Sequence, residues 1–170
     1  MDQPDNMQHS SRPARMRSLV GLVGWLAICF LAAALGSLAT ATGVDTWYQT
    51  LDRPAWTPPD WVFAPVWTLL YALMAVAAWL VWRQRGFSGA TLALSLFLVQ
   101  LALNVAWSFI LFGMGAITWA AVEIFVLMLA IAATTIAFWW ISTPAALLLV
   151  PYLVWVIYAV ALNVAIARMN

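Results

Sequence analysis

Charged residues are what this sequence has least of. Lysine, arginine, aspartate and glutamate make up only 8% of the 170 residues, and 66% are hydrophobic. Soluble domains carry roughly 25% charged residues, so the composition excludes an ordinary soluble core. The net charge is +1 and no basic stripe is present, which excludes nucleic acid as a partner. The lipid bilayer is the partner that this composition predicts.

Histidine and cysteine are almost as scarce, with one of each. The single histidine, His9, lies in the polar N-terminal segment, so no imidazole within a span can ligate a haem iron. Cys29 lies inside an apolar run and can form no internal disulfide, so it is predicted to be a buried, inert thiol. The sequence also contains no metal cluster, no glycine-rich phosphate loop and no Ser-His-Asp set. We therefore predict that no metal or cofactor is required.

Long apolar runs fill most of the chain. A membrane-spanning helix needs about 20 apolar residues, and five windows satisfy this length: 19–41, 63–83, 90–112, 116–140 and 145–168. The first run is longer than the apolar region of a signal peptide, so it is interpreted as a retained span. Residues 1–17 are predicted to form a disordered polar tail. The sequence predicts an all-α integral membrane protein, a bundle of five transmembrane helices over 18–170.

Five spans place the two ends of the chain on opposite faces of the membrane. Cytoplasmic segments carry an excess of basic residues. The N-terminus and the 84–89 connection are therefore predicted to lie inside, in a bacterial cytoplasmic membrane, with the loop between the first two spans outside. The arginines divide unequally between the faces: Arg12, Arg15, Arg17, Arg83 and Arg85 on the N-terminal face, against Arg53 and Arg168 on the other.

The connection between the first two spans, residues 43–62, is long, apolar and dense in tryptophan and proline; we call it the Trp-Pro loop. Buried tryptophan is stiff and proline limits the freedom of the unfolded chain, so such a loop presents a shaped apolar surface. We expect it to roof a cavity with Trp47, Trp56 and Trp61. Arg53 in this roof could pair with a carboxylate of a ligand, or instead with Asp52, Asp60 or a lipid phosphate.

Two helices carry polar and aromatic side chains at helical spacing beneath this roof. Steps of three and four place each set on one helix face. On the third helix, such a stripe is explained either by hydrogen bonding between helices, which is worth about 0.6 to 2 kcal/mol, or by a ligand. On the fifth, the small Ala159 beside Trp155 resembles a recess beside a wall. The third-helix stripe is Gln100, Asn104, Trp107, Ser108 and Leu111, and the fifth-helix stripe is Tyr152, Trp155, Ala159, Leu162 and Asn163.

Glu123 is the only Asp, Glu, Lys or Arg residue well inside a predicted span. A carboxyl group within a membrane is costly and is a candidate for function by default. It could be kept neutral by burial, be hydrogen-bonded to a neighbouring helix, or reach water near the interface. With Asn104, Trp107 and Asn163 it falls in the outer half of the membrane. Together these residues predict a largely apolar pocket with a few polar groups, the usual form of a small-molecule site.

Several of these strings resemble one family. The stretch WYQTLDRPAWTPPDWVFAPVWTLLYALM, the third-helix QLALNVAWSFILFG, the fourth-helix WAAVE and the fifth-helix VPYLVWVIYAVALN are similar, in order and spacing, to the tryptophan-rich sensory protein/translocator protein family. The resemblance implies a five-helix membrane protein, often dimeric, that binds porphyrins and isoquinoline-type ligands beneath its first loop. The candidate ligand-binding residues are then Trp47, Arg53, Trp56, Pro58, Trp67, Tyr71, Asn104, Trp107, Glu123, Tyr152, Trp155, Ala159, Leu162 and Asn163.

Two further properties of the family can be compared with sequence motifs in this chain. The cholesterol motif of its animal members needs a tyrosine close before a basic residue, but Tyr158 precedes Arg168 by too many positions, which leaves sterol binding in doubt. A homodimer needs small residues four apart on one helix face. Such pairs occur at Ala32 with Gly36 and at Ala102 with Ala106.

The favoured function is a membrane sensor or translocator that binds metal-free porphyrin of the protoporphyrin type, because planar stacking on tryptophan and tyrosine needs no axial ligand. One alternative is oxidative or light-dependent breakdown of the bound porphyrin. Since there is no acid–base constellation, that chemistry would depend on the photochemistry of the ligand itself. The other alternative is transport of another small solute, with Glu123 as a proton relay.

Overall fold

The structure is a computed structural model that describes residues 11–44 and 47–170. Five helices, each long and apolar enough to cross a membrane, account for most of these residues, which confirms the predicted five-helix membrane fold. The helices are α1 (Ser11–Gly43), α2 (Asp60–Gly89), α3 (Thr91–Ser108), α4 (Ile117–Trp139) and α5 (Thr143–Met169).

The helix ends differ from the predicted spans at two places. α1 begins at Ser11, so residues 11–17 belong to the first helix and not to the predicted disordered tail; residues 1–10 lie outside the described part. α2 begins at Asp60, ahead of the predicted start at 63, and runs to Gly89; its backbone leaves helical geometry at Gly86, inside the predicted 84–89 connection. A hydropathy window marks where the hydrocarbon ends, whereas a helix continues into the polar region until its backbone is interrupted. In α2 that interruption is Gly86, which has φ of 66°, a conformation that glycine adopts readily.

The five helices form a closed ring in which α1 packs against α2, α2 against α5, α5 against α4, α4 against α3, and α3 against α1. Small side chains line the centre of α2, where Ala75, Ala77 and Ala78 are completely buried. Aromatic rings join the other helices: Phe97 of α3 stacks on Phe138 of α4 at 5.9 Å between ring centroids. The core is therefore one continuous apolar cluster that reaches all five helices.

α3 ends in a π-helical turn, Phe109–Gly113. The Met114 N–H donates to the Phe109 carbonyl at 2.9 Å, a wider spacing than in an α-helix, and such turns occur frequently at functional sites. Gly115 has φ of 64° and leads into α4. The turn leaves the Phe112 carbonyl free of the regular ladder, and the Trp47 indole N–H donates to it at 3.1 Å.

The two pairs of small residues have different surroundings. Ala32 and Gly36 are buried inside the chain, where a Cβ on Gly36 would lie 3.3 Å from Ser108 Oγ. They therefore let α1 approach α3. Ala102 is exposed and Ala106 is half-buried, so of the two pairs this one faces the outer surface.

Gly43 provides a test of the close contact between the end of α1 and the π-helical turn. A Cβ at this position would collide with the Phe112 carbonyl and would lie 2.7 Å from Trp47 Nε1. We expect Gly43→Ala to destabilise the protein by about 1–3 kcal/mol, because backbone atoms there cannot move aside. The measurement is thermal unfolding of the purified protein in detergent.

Gly24→Ala is the matched control. Nothing lies within 4 Å of a Cβ on Gly24, so the same substitution in the same helix should be neutral, or stabilising by up to about 1 kcal/mol through helix propensity. Equal unfolding temperatures for the two variants would contradict the proposed close contact.

Candidate functional site

The Trp-Pro loop is fixed against the end of α3. A short 3₁₀ turn, Tyr48–Thr50, follows Trp47. The Trp47 indole bonds the Phe112 carbonyl, and the Tyr48 ring lies 5.2 Å from the Phe112 ring. Tyr48 is buried with Leu162 and Ile166 of α5 in a small apolar cluster of its own. The loop is thus packed as a second, smaller core on top of the bundle.

The same loop is fastened to the C-terminal end of α5. The Asp52 N–H donates to Asn170 Oδ1 at 3.1 Å, and Asn170 Nδ2 donates back to the Asp52 carbonyl at 3.1 Å. The Tyr158 hydroxyl donates to the Trp56 carbonyl at 2.7 Å, and the two rings are 5.5 Å apart. These contacts hold the loop over α5, where the predicted roof was expected.

Trp61 does not belong to this roof. It lies in the first turn of α2, because that helix begins at Asp60, and its side chain is 74% exposed. Trp56 is 48% exposed and Trp47 is half-buried, so the roof consists of Trp47 and Trp56. The expectation for Trp61 was wrong because the helix starts earlier than the apolar window does.

Arg53 has partners of its own within the loop. Its guanidinium lies 3.7 Å from Asp60 Oδ1, donates to Gln49 Oε1 at 3.2 Å, and sits 5.4 Å from the centroid of the Tyr48 ring. The Asp60 pairing was one of the alternatives that the sequence left open. Burial raises the pKa of the Tyr48 phenol, and the nearby Arg53 partly offsets that rise.

A chain of hydrogen bonds joins three helices at the base of the site. The Tyr71 hydroxyl of α2 donates to Asn104 Oδ1 of α3 at 2.6 Å. Asn104 Nδ2 donates to the Tyr152 hydroxyl of α5 at 3.0 Å. All three side chains are buried, so Asn104 does serve as a link between helices. Trp67 packs beside this chain, with its ring 5.7 Å from Tyr71 and 6.2 Å from Tyr152.

A separate row of aromatic rings leads from α2 through α5 to the loop. The Trp155 ring lies 5.9 Å from Phe63 and 5.8 Å from Tyr158, and Tyr158 contacts Trp56 of the loop. Neither Phe63 nor Tyr158 was among the predicted site residues. Tyr158 could have been found, since it follows Trp155 by three positions on the same face, whereas nothing in the spacing indicated Phe63. Two predicted site residues adjoin members of this row in the sequence. Pro58 follows Trp56 by two positions, Ala159 directly follows Tyr158, and both are half-buried.

Four side chains have buried nitrogen or oxygen atoms with no hydrogen-bond partner in the described part of the chain. They come from three helices that share one side of the bundle, α3, α4 and α5. An unpaired buried polar atom costs about 1–3 kcal/mol, and the cost is higher where no water is available. The atoms are Gln100 Oε1, Trp107 Nε1, both carboxyl oxygens of Glu123, and Asn163 Oδ1.

Glu123 also borders a groove on the outside of the bundle. This groove, of about 390 Å³, lies between the π-helical turn and the start of α4. Although the residue edges this surface, its carboxyl oxygens are buried, so Glu123 lies at the boundary between the interior and the lipid-facing side. The other lining residues are Ile110, Met114, Ala116, Trp119 and Val122.

Metal binding finds no support in this geometry. Within 11–44 and 47–170, no three His, Cys, Asp or Glu side chains come together in a way that could hold a metal ion. Cys29 is fully buried in α1, as its apolar surroundings predict.

The fold and the site together define a class: a multi-pass integral membrane protein with an aromatic, amide-containing interior closed by a structured loop. The sequence profile of the TspO/MBR family matches residues 25–169. This chain belongs to the TspO/MBR family.

Relatives from distant organisms match most of the chain. It is 37% identical to the tryptophan-rich protein TspO of Chlorobaculum tepidum over 158 residues, which cover 91% of this chain and 98% of that protein. It is 39% identical to the tryptophan-rich sensory protein of Cereibacter sphaeroides over 149 residues, 86% of this chain and 92% of the relative. Identity to the human translocator protein is 43% over 126 residues, 73% of this chain and 75% of the relative.

The Tyr71–Asn104–Tyr152 chain provides a test of the base of the site. We expect Tyr71→Phe to lower the free energy of unfolding by about 0.6–2 kcal/mol, because Asn104 Oδ1 loses its donor in a place without water. The measurement is a double-mutant cycle with Asn104→Leu, followed by thermal unfolding in detergent. Additive losses, with no coupling between the two positions, would contradict the bond. Tyr158→Phe, which removes a hydroxyl at the edge of the loop, is the control and should show no coupling to Asn104.

Proposed function

We propose that this protein binds flat, hydrophobic, acid-bearing ligands of the porphyrin type between the Trp-Pro loop and the Tyr71–Asn104–Tyr152 chain. The observation that carries the proposal is the set of unpaired buried polar atoms on α3, α4 and α5, in a bundle that also carries an aromatic row from Phe63 through Trp155 and Tyr158 to Trp56. Apolar walls with a few polar groups are the usual form of a ligand site.

The chemistry of these residues fits the parts of a porphyrin. The faces of a macrocycle stack on indole and phenol rings, which Trp67, Trp155 and Tyr158 supply. The unpaired Trp107 N–H is a donor for a carboxylate oxygen, whereas the Asn163 carbonyl is an acceptor for a ligand N–H or O–H. No axial ligand is needed for this mode of binding, in keeping with the single histidine at position 9.

Arg53 is placed to receive a carboxylate at the mouth of the site. Its ion pair with Asp60 is long, at 3.7 Å, and Asp60 is 60% exposed. Exposed ion pairs contribute only about 0–1 kcal/mol, so exchanging Asp60 for a ligand carboxylate costs little. A bidentate contact between guanidinium and carboxylate would replace it with a stronger one.

The names of the relatives, translocator protein and tryptophan-rich sensory protein, favour a role in which binding is coupled to passage or to a signal. We therefore propose a sensor or translocator for such ligands. The structured loop supports this role because it is the part of the site that must move before a ligand enters from the loop side.

Titration with metal-free protoporphyrin IX should quench the tryptophan fluorescence of the purified protein saturably. We expect Trp107→Ala or Trp155→Phe to weaken binding about 3- to 10-fold, since an aromatic pair is worth about 0.5–1.5 kcal/mol beyond its buried area. Absorbance at the Soret band gives the same affinity without depending on the number of tryptophans. Unchanged affinity in both variants would overturn the site.

Two controls separate this site from unspecific partitioning. Trp140→Phe changes a tryptophan that is 80% exposed at the opposite end of α4 and should leave the affinity unchanged. The dimethyl ester of the porphyrin lacks the free acids, so its affinity should be insensitive to Arg53→Gln, whereas the affinity of the diacid should fall. Equal effects of Arg53→Gln on both ligands would reject a carboxylate contact.

We also propose that the protein lies in a bacterial cytoplasmic membrane with its N-terminus inside and the Trp-Pro loop outside. Arg15, Arg17, Arg83 and Arg85 are exposed at one end of the bundle, which is the end that the positive-inside rule places in the cytoplasm.

A pair of C-terminal fusions made after Asn170 tests this orientation. We expect alkaline phosphatase, which needs the periplasm, to be active, and green fluorescent protein, which needs the cytoplasm, to be dark. The reverse pattern would contradict the proposed orientation. Fusions truncated in the 84–89 segment should give the opposite result and serve as the internal control.

A further inference from the structure

The end of the bundle opposite the Trp-Pro loop carries four exposed arginines, Arg15, Arg17, Arg83 and Arg85. We call this end the arginine face. None of the four has an ion pair within residues 15–44 and 47–170, where the described pair is Arg53 with Asp60 at the other end of the bundle. In the described part of the chain no carboxylate pairs with these four cations, so an anion bound at this boundary would meet four unpaired charges.

The packing of α1 against α2 brings these arginines together. The Trp79 indole N–H of α2 donates to the Ser18 carbonyl of α1 at 2.8 Å. This bond fixes the first turns of α1, with Arg15 and Arg17, beside the last turns of α2, with Arg83 and Arg85. Gly21 permits the close approach, because the Trp82 ring occupies the space that a side chain there would need.

The guanidinium of Arg83 lies over an aromatic ring of its own helix. It lies 4.5 Å from the centroid of the Trp79 ring, and that ring is itself fixed by the bond to Ser18. A guanidinium stacked on an indole keeps its N–H groups directed outward in the plane of the fork. Such a fork matches the geometry of a phosphate.

The surroundings of the arginine face are those of a lipid interface. Trp139 and Trp140, at the end of α4, are 52% and 80% exposed, as in the aromatic belts of membrane proteins. The bond from Gln84 Nε2 to Ser142 Oγ at 2.9 Å places the turn after α4 beside the end of α2. Tryptophans and arginines therefore lie at one level, where lipid headgroups are found.

From this arrangement we propose that the arginine face is a binding site for the phosphate headgroup of anionic phospholipids, with the stacked Arg83 as its fixed element. Clusters of four or more basic residues next to a span bind anionic lipids, and each residue contributes about fivefold in affinity. The site is separate from the porphyrin site and does not depend on it.

The test uses the purified full-length protein in detergent, titrated with phosphatidylglycerol or with phosphatidylcholine and followed by native mass spectrometry. Phosphatidylglycerol should bind preferentially. We expect Arg83→Gln to weaken its binding about fivefold. Arg83→Gln with Arg85→Gln together should weaken it further, by less or more than the product of the single losses because both residues face the same anion. Arg168→Gln removes one exposed arginine from the other end of the bundle and should leave the affinity within about twofold.

Three results would overturn the proposal: equal binding of the two lipids, an equal loss in Arg168→Gln, or displacement of the lipid by millimolar inorganic phosphate, which would identify a general anion site. Arg83→Lys keeps the charge but not the fork, so its affinity for phosphatidylglycerol should lie between that of the original protein and that of Arg83→Gln. A loss as complete as in Arg83→Gln would reject the charge argument. Unchanged helical content and unfolding temperature show that the variants are folded, so failure here leaves the proposed function untouched.

Discussion

The structure depends on one constraint: in the hydrocarbon of a membrane, a polar group must find its partner inside the protein, because water is absent. Most polar side chains in the spans satisfy it locally. The hydroxyls of Thr68, Thr134 and Thr135 donate to carbonyls one turn earlier in their own helices. Asn104 satisfies it between helices, through Tyr71 and Tyr152. The residues that fail to satisfy it lie on α3, α4 and α5, and for that reason we propose the ligand site there.

The same constraint applies to the Trp-Pro loop. Apart from the 3₁₀ turn Tyr48–Thr50, its backbone is not helical, so its polar groups need other hydrogen-bond partners. Asn170 bonds both polar groups of the Asp52 backbone, and Tyr158 bonds the carbonyl of Trp56. The loop supplies other partners itself, as in the bonds from Thr50 N–H to the Trp47 carbonyl and from Thr57 N–H to the Pro54 carbonyl. The C-terminal end of α5 and the π-helical turn after α3 fix its position on the bundle, so we expect changes at these two places to alter the roof.

Much of the fold could be predicted from the sequence, because hydropathy reports directly on the length of chain that hydrocarbon accepts. The same physics explains the errors at the ends of α1 and α2: polar residues leave the hydrocarbon without ending the helix. The inward face of α3 was also predictable. Gln100, Asn104, Ser108 and Leu111 are all buried, as steps of three and four require.

The partners of these side chains could not be predicted in the same way. The bond between Tyr71 and Asn104, and the contact of Trp155 with Phe63, depend on the order of the helices around the ring. A single chain with short connections does not define that order. The surroundings of Glu123 could not be predicted from the sequence either. Its depth followed from its position in α4, but its place between the interior and an outer groove follows from the π-helical turn beside it.

The few charges of the chain are separated by function. At the loop end, Arg53 and Asp60 form an exposed pair that can be exchanged at little cost. At the other end, four arginines have no acidic neighbour in the described part of the chain, and one of them is fixed on a tryptophan. Arg53 can exchange Asp60 for a ligand carboxylate. The unpaired arginines at the other end would instead attract the anionic headgroups of a membrane surface. The roles that we propose for the two ends therefore differ: exchange of a ligand at the loop end and anchoring at the arginine face.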